Sequence, residues 1–193
     1  MVLGTKTVSD TVWRFAGWHA EALQLTELHN RSDANYITSE DMWRTMIANR
    51  KEVTSDERPD AIYGTYCESL KYAWQNPQVF RGITMEEINE GSGRAKRYME
   101  ALSFRGRTVN VLPGRKFGIT AEGHPGLFPS GTEIGDEIGI ILGLHIPVVI
   151  RECAKANRRR AQQKYLLVGE CYIHGLMDGE GLDEGEMEEI VFQ

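Results

Sequence analysis

Gly114-Arg115-Lys116-Phe117-Gly118-Ile119-Thr120 opens the stretch that decides the fold, and Gly126-Leu127-Phe128-Pro129-Ser130-Gly131-Thr132 follows it. Next come Gly135-Asp136-Glu137-Ile138-Gly139-Ile140-Ile141-Leu142-Gly143 and Pro147-Val148-Val149-Ile150-Arg151-Glu152. The last run is Tyr165-Leu166-Leu167-Val168-Gly169-Glu170-Cys171-Tyr172-Ile173-His174-Gly175. Each is a short β-rich segment closed by Gly, Pro or Asp. A strand-and-turn rhythm repeated about every ten residues is the pattern of a small barrel or sandwich. It predicts strands near 115–121, 125–129, 136–143, 146–152 and 164–172, with Thr108 to Leu112 as an extra strand.

The half before this stretch has helical spacing. Val8, Val12, Phe15, His19, Ala22 and Leu23 share one face of a helix running to about His29, with Trp13 and Trp18 beside it and Ser9 or Asp10 as its cap. A second helix is expected from Ser39 to Asn49 with Met42, Trp43, Met46 and Ile47 inward, and a third from Ala61 to Asn76, ended by Pro77. Thr84-Met85-Glu86-Glu87 is a capping box for a fourth, running to about Ser103 and broken near Gly91 and Gly93. The fold class is therefore α+β: about four helices in a layer (residues 1–105) packed on a small antiparallel β-barrel (106–193), as one compact unit.

Composition narrows the function. Apolar residues make up 41% and charged residues 26%, the balance of a globular protein. A net charge of −6 repels phosphate backbones and argues against a nucleic-acid partner. Cys67, Cys153 and Cys171 form no Cys-x-x-Cys pair, which excludes a zinc ribbon or a thioredoxin-type site and suits reduced thiols in a cytoplasmic setting. The most apolar run, Ile138 to Ile150, is interrupted by Gly139, Gly143, His145 and Pro147, too broken to span a bilayer. The Arg158-Arg159-Arg160 triplet reads as a solvated hairpin tip, and the acidic residues from Asp178 to Glu189 lack the spacing of a calcium loop.

No nucleotide fingerprint, Walker loop or nucleophile elbow is present, so no cofactor is expected. Gly91-Ser92-Gly93 is too short to read as a phosphate cradle. The five histidines share no i, i+4 pair, so no metal is expected either. The densest chemistry is Glu170-Cys171-Tyr172-Ile173-His174. Strand alternation sends Glu170, Tyr172 and His174 to one face, where a carboxylate, a phenol and an imidazole can polarise a carbonyl or move a proton. The bland alternative is a structural network in which Glu170 bonds Arg115 and His174 caps the turn at Gly175. Asp136 is expected to bond its own turn, and Arg151 to pair with an acid such as Glu152 or Glu170.

Read together, the blocks Gly-Arg-x-Phe-x-x-Thr, Gly-Leu-x-Pro-x-Gly-Thr, Gly-Asp-x-Ile-x-Ile-Leu-x-Gly, Pro-x-Val-Ile-Arg and Tyr-x-Leu-Val-Gly-Glu-x-Tyr-x-His-Gly resemble the C-terminal barrel of fungal heterokaryon incompatibility proteins. Met177-Asp178-Gly179-Glu180 and Trp43-Arg44-Thr45-Met46-Ile47-Ala48 extend the likeness to roughly residues 10–185. Those proteins usually begin with a separate HET domain that carries the cell-death activity, and no counterpart of it lies in these residues. The resemblance implies a stand-alone barrel of fungal secondary metabolism, a cofactor-free pericyclase or Diels–Alderase acting on a small apolar metabolite. Tyr172, His174, Glu170 and Arg115 would then activate a carbonyl. A recognition module of the incompatibility type and a small-ligand carrier are the alternatives, and homodimerisation is left open.

Overall fold

The computed structural model describes residues 6–7, 12–32, 35–51, 57–153, 163–180 and 189–193. Ser9, Asp10 and the Arg158 triplet lie outside the described residues, as does most of the acidic tail, and the side chains of Val12, Trp13 and Phe15 are likewise not described. The chain forms two compact units, Met1–Thr38 with Gly114–Gln193, and Ser39–Pro113.

The first unit holds helix α1 (Val12–Ser32) and strands β1 (Lys6–Thr7), β2 (Arg115–Ile119), β3 (Pro125–Pro129), β4 (Glu137–Gly139), β5 (Val148–Glu152), β6 (Lys164–Glu170), β7 (Tyr172–Ile173) and β8 (Val191–Phe192). Two four-stranded sheets result, one ordered β1-β2-β3-β7 and the other β4-β5-β6-β8. Neighbours pair antiparallel except β6 with β8, which run parallel. The β2–β3 hairpin closes over Thr120, whose hydroxyl accepts from the His124 amide at 3.1 Å, while Gly123 supplies the left-handed residue at φ +91°.

Register sorts the first sheet's side chains into two faces. Phe117, Leu127 and Tyr172 are mutual cross-strand partners and share one face. Trp18 of α1 meets that face, its ring edge-on to Phe117 at 6.1 Å. The buried stripe of α1 continues through His19, Ala22, Thr26 and His29. His29 Nε2 lies 2.8 Å from the Asn35 carbonyl, and the Asn35 side-chain amide donates to the Glu122 carbonyl at 2.7 Å, which ties the end of α1 to the β2–β3 turn. The opposite face carries Phe128 and Ile173. They form one buried cluster with Val149 of β5 and with Cys171, and Ile138, Val168 and Leu176 pack against it. Buried side chains therefore pack on both faces of the first sheet, against α1 on one and against the second sheet on the other.

Among the described strands the chain changes sheet three times, from β3 to β4, from β6 to β7 and from β7 to β8. After β3, the loop to β4 is held by Arg151 of β5. Its Nε donates to Asp136 Oδ1 at 2.7 Å and its Nη2 to Oδ2 at 2.9 Å, while Nη2 also reaches the Gly131 carbonyl at 2.8 Å and Nη1 reaches Glu133 at 3.2 Å. Asp136 also accepts from the Glu133 amide at 2.8 Å, so it does bond its own turn. The expected Arg151 partners, Glu152 and Glu170, are not used. Glu152 is the next residue along β5 and points to the opposite side of the sheet, and Glu170 is engaged by Arg115. Burial by itself would raise the Asp136 carboxyl. The hydrogen bonds from Arg151 and the Glu133 amide, with the guanidinium charge, outweigh it and hold the group below the usual carboxylate range.

The second unit contains α2 (Ser39–Met46), α3 (Ile62–Gln75), α4 (Met85–Glu90) and α5 (Gly93–Val111), with a 3-10 turn at Pro77–Phe80. α2 stops three residues short of Asn49 because Ala48 and Asn49 both take left-handed backbone, φ +50°. The Thr84–Glu87 capping box forms in full. Gly91 ends α4 in the left-handed conformation and Ser92 caps α5, which is why the Gly91-Ser92-Gly93 run is a helix boundary. The strand expected from Thr108 to Leu112 is instead the last turn of α5. Thr108 is fully buried, and its hydroxyl donates back to the Arg105 carbonyl at 2.9 Å. Ala101, Phe104 and Thr108 form a helical stripe, and burying it outweighs the strand preference of Thr108, Val109 and Val111.

Two measurements check this account. A Cβ added at Gly126 would lie 2.8 Å from the Tyr172 carbonyl oxygen and 2.9 Å from both Phe128 and Ile173. Gly126→Ala should therefore cost at least the roughly 1–3 kcal/mol of overpacking, read as a lowered denaturant midpoint. Asp136→Asn should cost about 2 kcal/mol at neutral pH, because it removes a charged acceptor. Since the folded carboxyl titrates below its unfolded value, the wild-type advantage should be full above the ordinary aspartate range and shrink as pH falls through the folded value. An advantage that does not change with pH would refute the ion-pair account.

Candidate functional site

The four residues singled out from sequence come together as two pairs. Tyr172 is buried in β7, and its hydroxyl lies 2.9 Å from His174 Nδ1. The turn after β7 uses Gly175 at φ +86°, where a Cβ would sit 3.6 Å from His124 Nδ1, so a second imidazole borders this turn. Arg115, the first residue of β2, donates from Nη2 to Glu170 Oε1 at 2.6 Å and from Nη1 to the Glu170 carbonyl at 3.1 Å. Glu170 ends β6, so this contact staples one sheet to the other, as the structural alternative anticipated.

Glu170 pairs across from Val148 in one sheet, and Tyr172 pairs across from Leu127 in the other. The alternation that would carry Glu170, Tyr172 and His174 to one face is therefore interrupted at Cys171, where the chain changes sheets. A phenol hydrogen-bonded to an imidazole can relay a proton or polarise an acceptor that reaches it. Tyr172 is only 7% exposed, and its hydroxyl is engaged by His174.

The buried cysteines supply no nucleophile. Burial pushes both Cys67 and Cys171 up to about 12, so neither is a thiolate at neutral pH. Cys153 is only partly buried.

An apolar groove lies where a strand was expected to continue. β4 stops at Gly139 and β5 begins at Val148. Gly143 at φ +90°, an amide bond from Leu144 to the Ile141 carbonyl, and Pro147 turn the intervening residues into a loop. Ile140, Leu142, Leu144 and Pro147 from this loop face Leu176 and Met177 across a groove of about 370 Å³. Leu142 is 75% exposed and Leu144 50%. The sequence carried a signal for this: seven apolar or glycine residues from Ile138 to Leu144 with no polar alternation cannot form a strand with one wet face. A second groove of about 370 Å³ lies in the helical unit, lined by α3 and by Arg97 of α5. Nothing in the sequence reading pointed to it, because its residues form the ordinary polar face of a helix. No helix of the described residues is long and apolar enough to cross a membrane.

Thiol chemistry offers a direct check. In the native protein at mildly alkaline pH, a disulfide-exchange reagent should label Cys153 rapidly and leave Cys67 and Cys171 unreacted until denaturant is added. Rapid native labelling of all three would contradict the packing around β7 and α3.

The family model for the Het-6 beta-barrel domain matches residues 19–192. The chain is also 33% identical over 134 residues to heterokaryon incompatibility protein 6, OR allele, of Neurospora crassa, a match that covers 69% of this chain and 17% of that protein. No solved structure matches the chain significantly. The chain thus spans about a sixth of the curated relative, 17% of its length. With helices and two sheets arranged as described and the family model covering most of the sequence, the chain belongs to the Het-6 β-barrel domain family.

Proposed function

We propose that this chain is a recognition module of the heterokaryon-incompatibility type, and that the groove formed by residues 140–147 and 176–179 holds an apolar segment of a partner protein. The carrying observation is the exposure of Leu142 and Leu144 on the rim of a groove already walled by Ile140, Pro147 and Leu176. Soluble proteins seldom leave adjoining aliphatic side chains in water unless something covers them. A groove of about 370 Å³ open to solvent suits one or two side chains of an extended segment.

The cyclase reading has less to draw on. Among the described residues the space between the sheets is filled by Phe128, Val149, Cys171 and Ile173. Glu170 serves as an ion-pair staple, and the Tyr172 hydroxyl is directed to His174. The name of the Neurospora relative, an incompatibility protein, is the second support for a recognition role.

The test has two arms. A photo-crosslinking residue at position 142 identifies the partner, which is then purified and titrated against the chain. Leu142→Asp should weaken binding by about tenfold or more, as loss of a central apolar anchor does, while His174→Ala should leave it unchanged. Equal affinity for the wild type and Leu142→Asp would overturn the proposal. Incubation with polyene or terpenoid precursors is the other arm. Cyclisation faster than in buffer, lost in His174→Ala, would put the metabolic reading in its place.

A further inference from the structure

We infer that the groove between α3 and α5 in the helical unit is a binding site for an oxyanion, a carboxylate or phosphate group, held by Arg97 and Lys71. Several of the described arginines close on an acid. Arg44, Arg94, Arg115 and Arg151 each stand 2.6–2.7 Å from a carboxylate oxygen. Arg97 has no such partner among the described residues. Its guanidinium lies over the Tyr72 ring instead, 4.5 Å from the centroid.

A guanidinium stacked on an aromatic face keeps its N–H edge available, and that edge matches two oxygens of a carboxylate or phosphate. Tyr72 is itself fixed by Phe80, edge-on at 6.0 Å, so the platform under Arg97 is rigid. Lys71 lines the same groove and brings a second cation.

Two acids border the groove, Glu68 in its lining and Glu100 bonded to the lining residue Ser69, and neither closes on Arg97. Glu68 meets Lys71 only at 3.7 Å, with both side chains well exposed, a contact worth little in water. Glu100 sits one turn along α5 from Arg97, but the buried Ser69 hydroxyl donates to it at 2.7 Å and holds it. α5 as a whole carries Arg94, Lys96, Arg97, Arg105 and Arg107 against Glu100 alone. In residues 39–113, eleven acidic side chains balance eleven basic ones, so the whole −6 of the chain falls on the other unit. An anion therefore meets no net negative charge on the helical unit as a whole.

The groove, at about 370 Å³, is larger than an oxyanion alone, and Thr65 and Gln75 offer hydrogen bonds to the rest of a ligand. The ligand class is thus a polar molecule or side chain bearing a terminal phosphate or carboxylate. This inference is independent of the apolar groove of the sheet unit.

The experiment is a titration of the full chain, ¹⁵N-labelled, with inorganic phosphate and separately with succinate, at constant ionic strength set by sodium chloride. Saturable shifts of the Arg97 side-chain N–H and of the Lys71 and Tyr72 amides are expected. Arg97→Gln should weaken the tighter ligand by about tenfold or more, and Arg97→Lys, which keeps the charge but loses the fork, by an intermediate factor. Arg97 is exposed, so both variants should melt as the wild type does. Tighter phosphate points to a phosphorylated ligand and tighter succinate to a carboxylate one. Shifts that never saturate, or that are the same in Arg97→Gln, would overturn the site.

Discussion

Arg151 closing on Asp136 is the contact on which the sheet unit rests. A chain that crosses between two sheets sharing a core must find partners for the charged and main-chain groups it buries. The loop from β3 to β4 makes one such crossing, and a single guanidinium satisfies the Gly131 carbonyl, the Glu133 carboxylate and both oxygens of Asp136 there. Asp136 is buried to 3% side-chain exposure, so without that partner it would be an uncompensated charge. The second crossing, from β6 to β7, uses Cys171 as an apolar pivot and the Arg115–Glu170 pair as an external staple.

The way the sheets are joined shapes what the protein can do. Phe128, Val149 and Ile173 pack together between the two sheets. Apolar surface left over from this packing gathers at the 140–147 loop, where Gly143 and Pro147 stop the sheet. The helical unit has a different character. Its aromatic ladder of Tyr72, Phe80 and Tyr98 supports a cation rather than an apolar wall. The two units thus offer grooves of similar volume and opposite chemistry.

Strand positions β2, β3, β5 and β6 were legible because Gly and Pro punctuate them and β-branched or aromatic residues fill them. Helices α2 and α3 were legible from their apolar stripes, and α4 from the spacing of its Thr84 capping box. The misreadings have separate physical causes. Thr108 to Leu112 looked like a strand because Thr and Val favour one, yet Phe104 and Thr108 are buried together on the same helical face. Ile140 to Gly143 looked like the end of a strand, yet a left-handed glycine turned it aside. At the candidate site, the Arg115–Glu170 contact was among those anticipated, and the Tyr172–His174 contact was not. Nor was their division between two sheets, because a change of sheet at Cys171 leaves no mark in a period of two.

By itself the sequence determined the α+β class, the order of helices and strands, the turn positions and the likeness to the heterokaryon incompatibility barrel. All of these follow from local periodicity, backbone restrictions at Gly and Pro, and short ordered motifs. Only the tertiary structure decided which charges pair, where the chain changes sheets, which apolar residues stay in water, and that Arg97 rests on an aromatic ring without a carboxylate. Those outcomes depend on residues far apart in the chain competing for the same partners in space. Such competition is settled by packing and desolvation, which a linear pattern does not record.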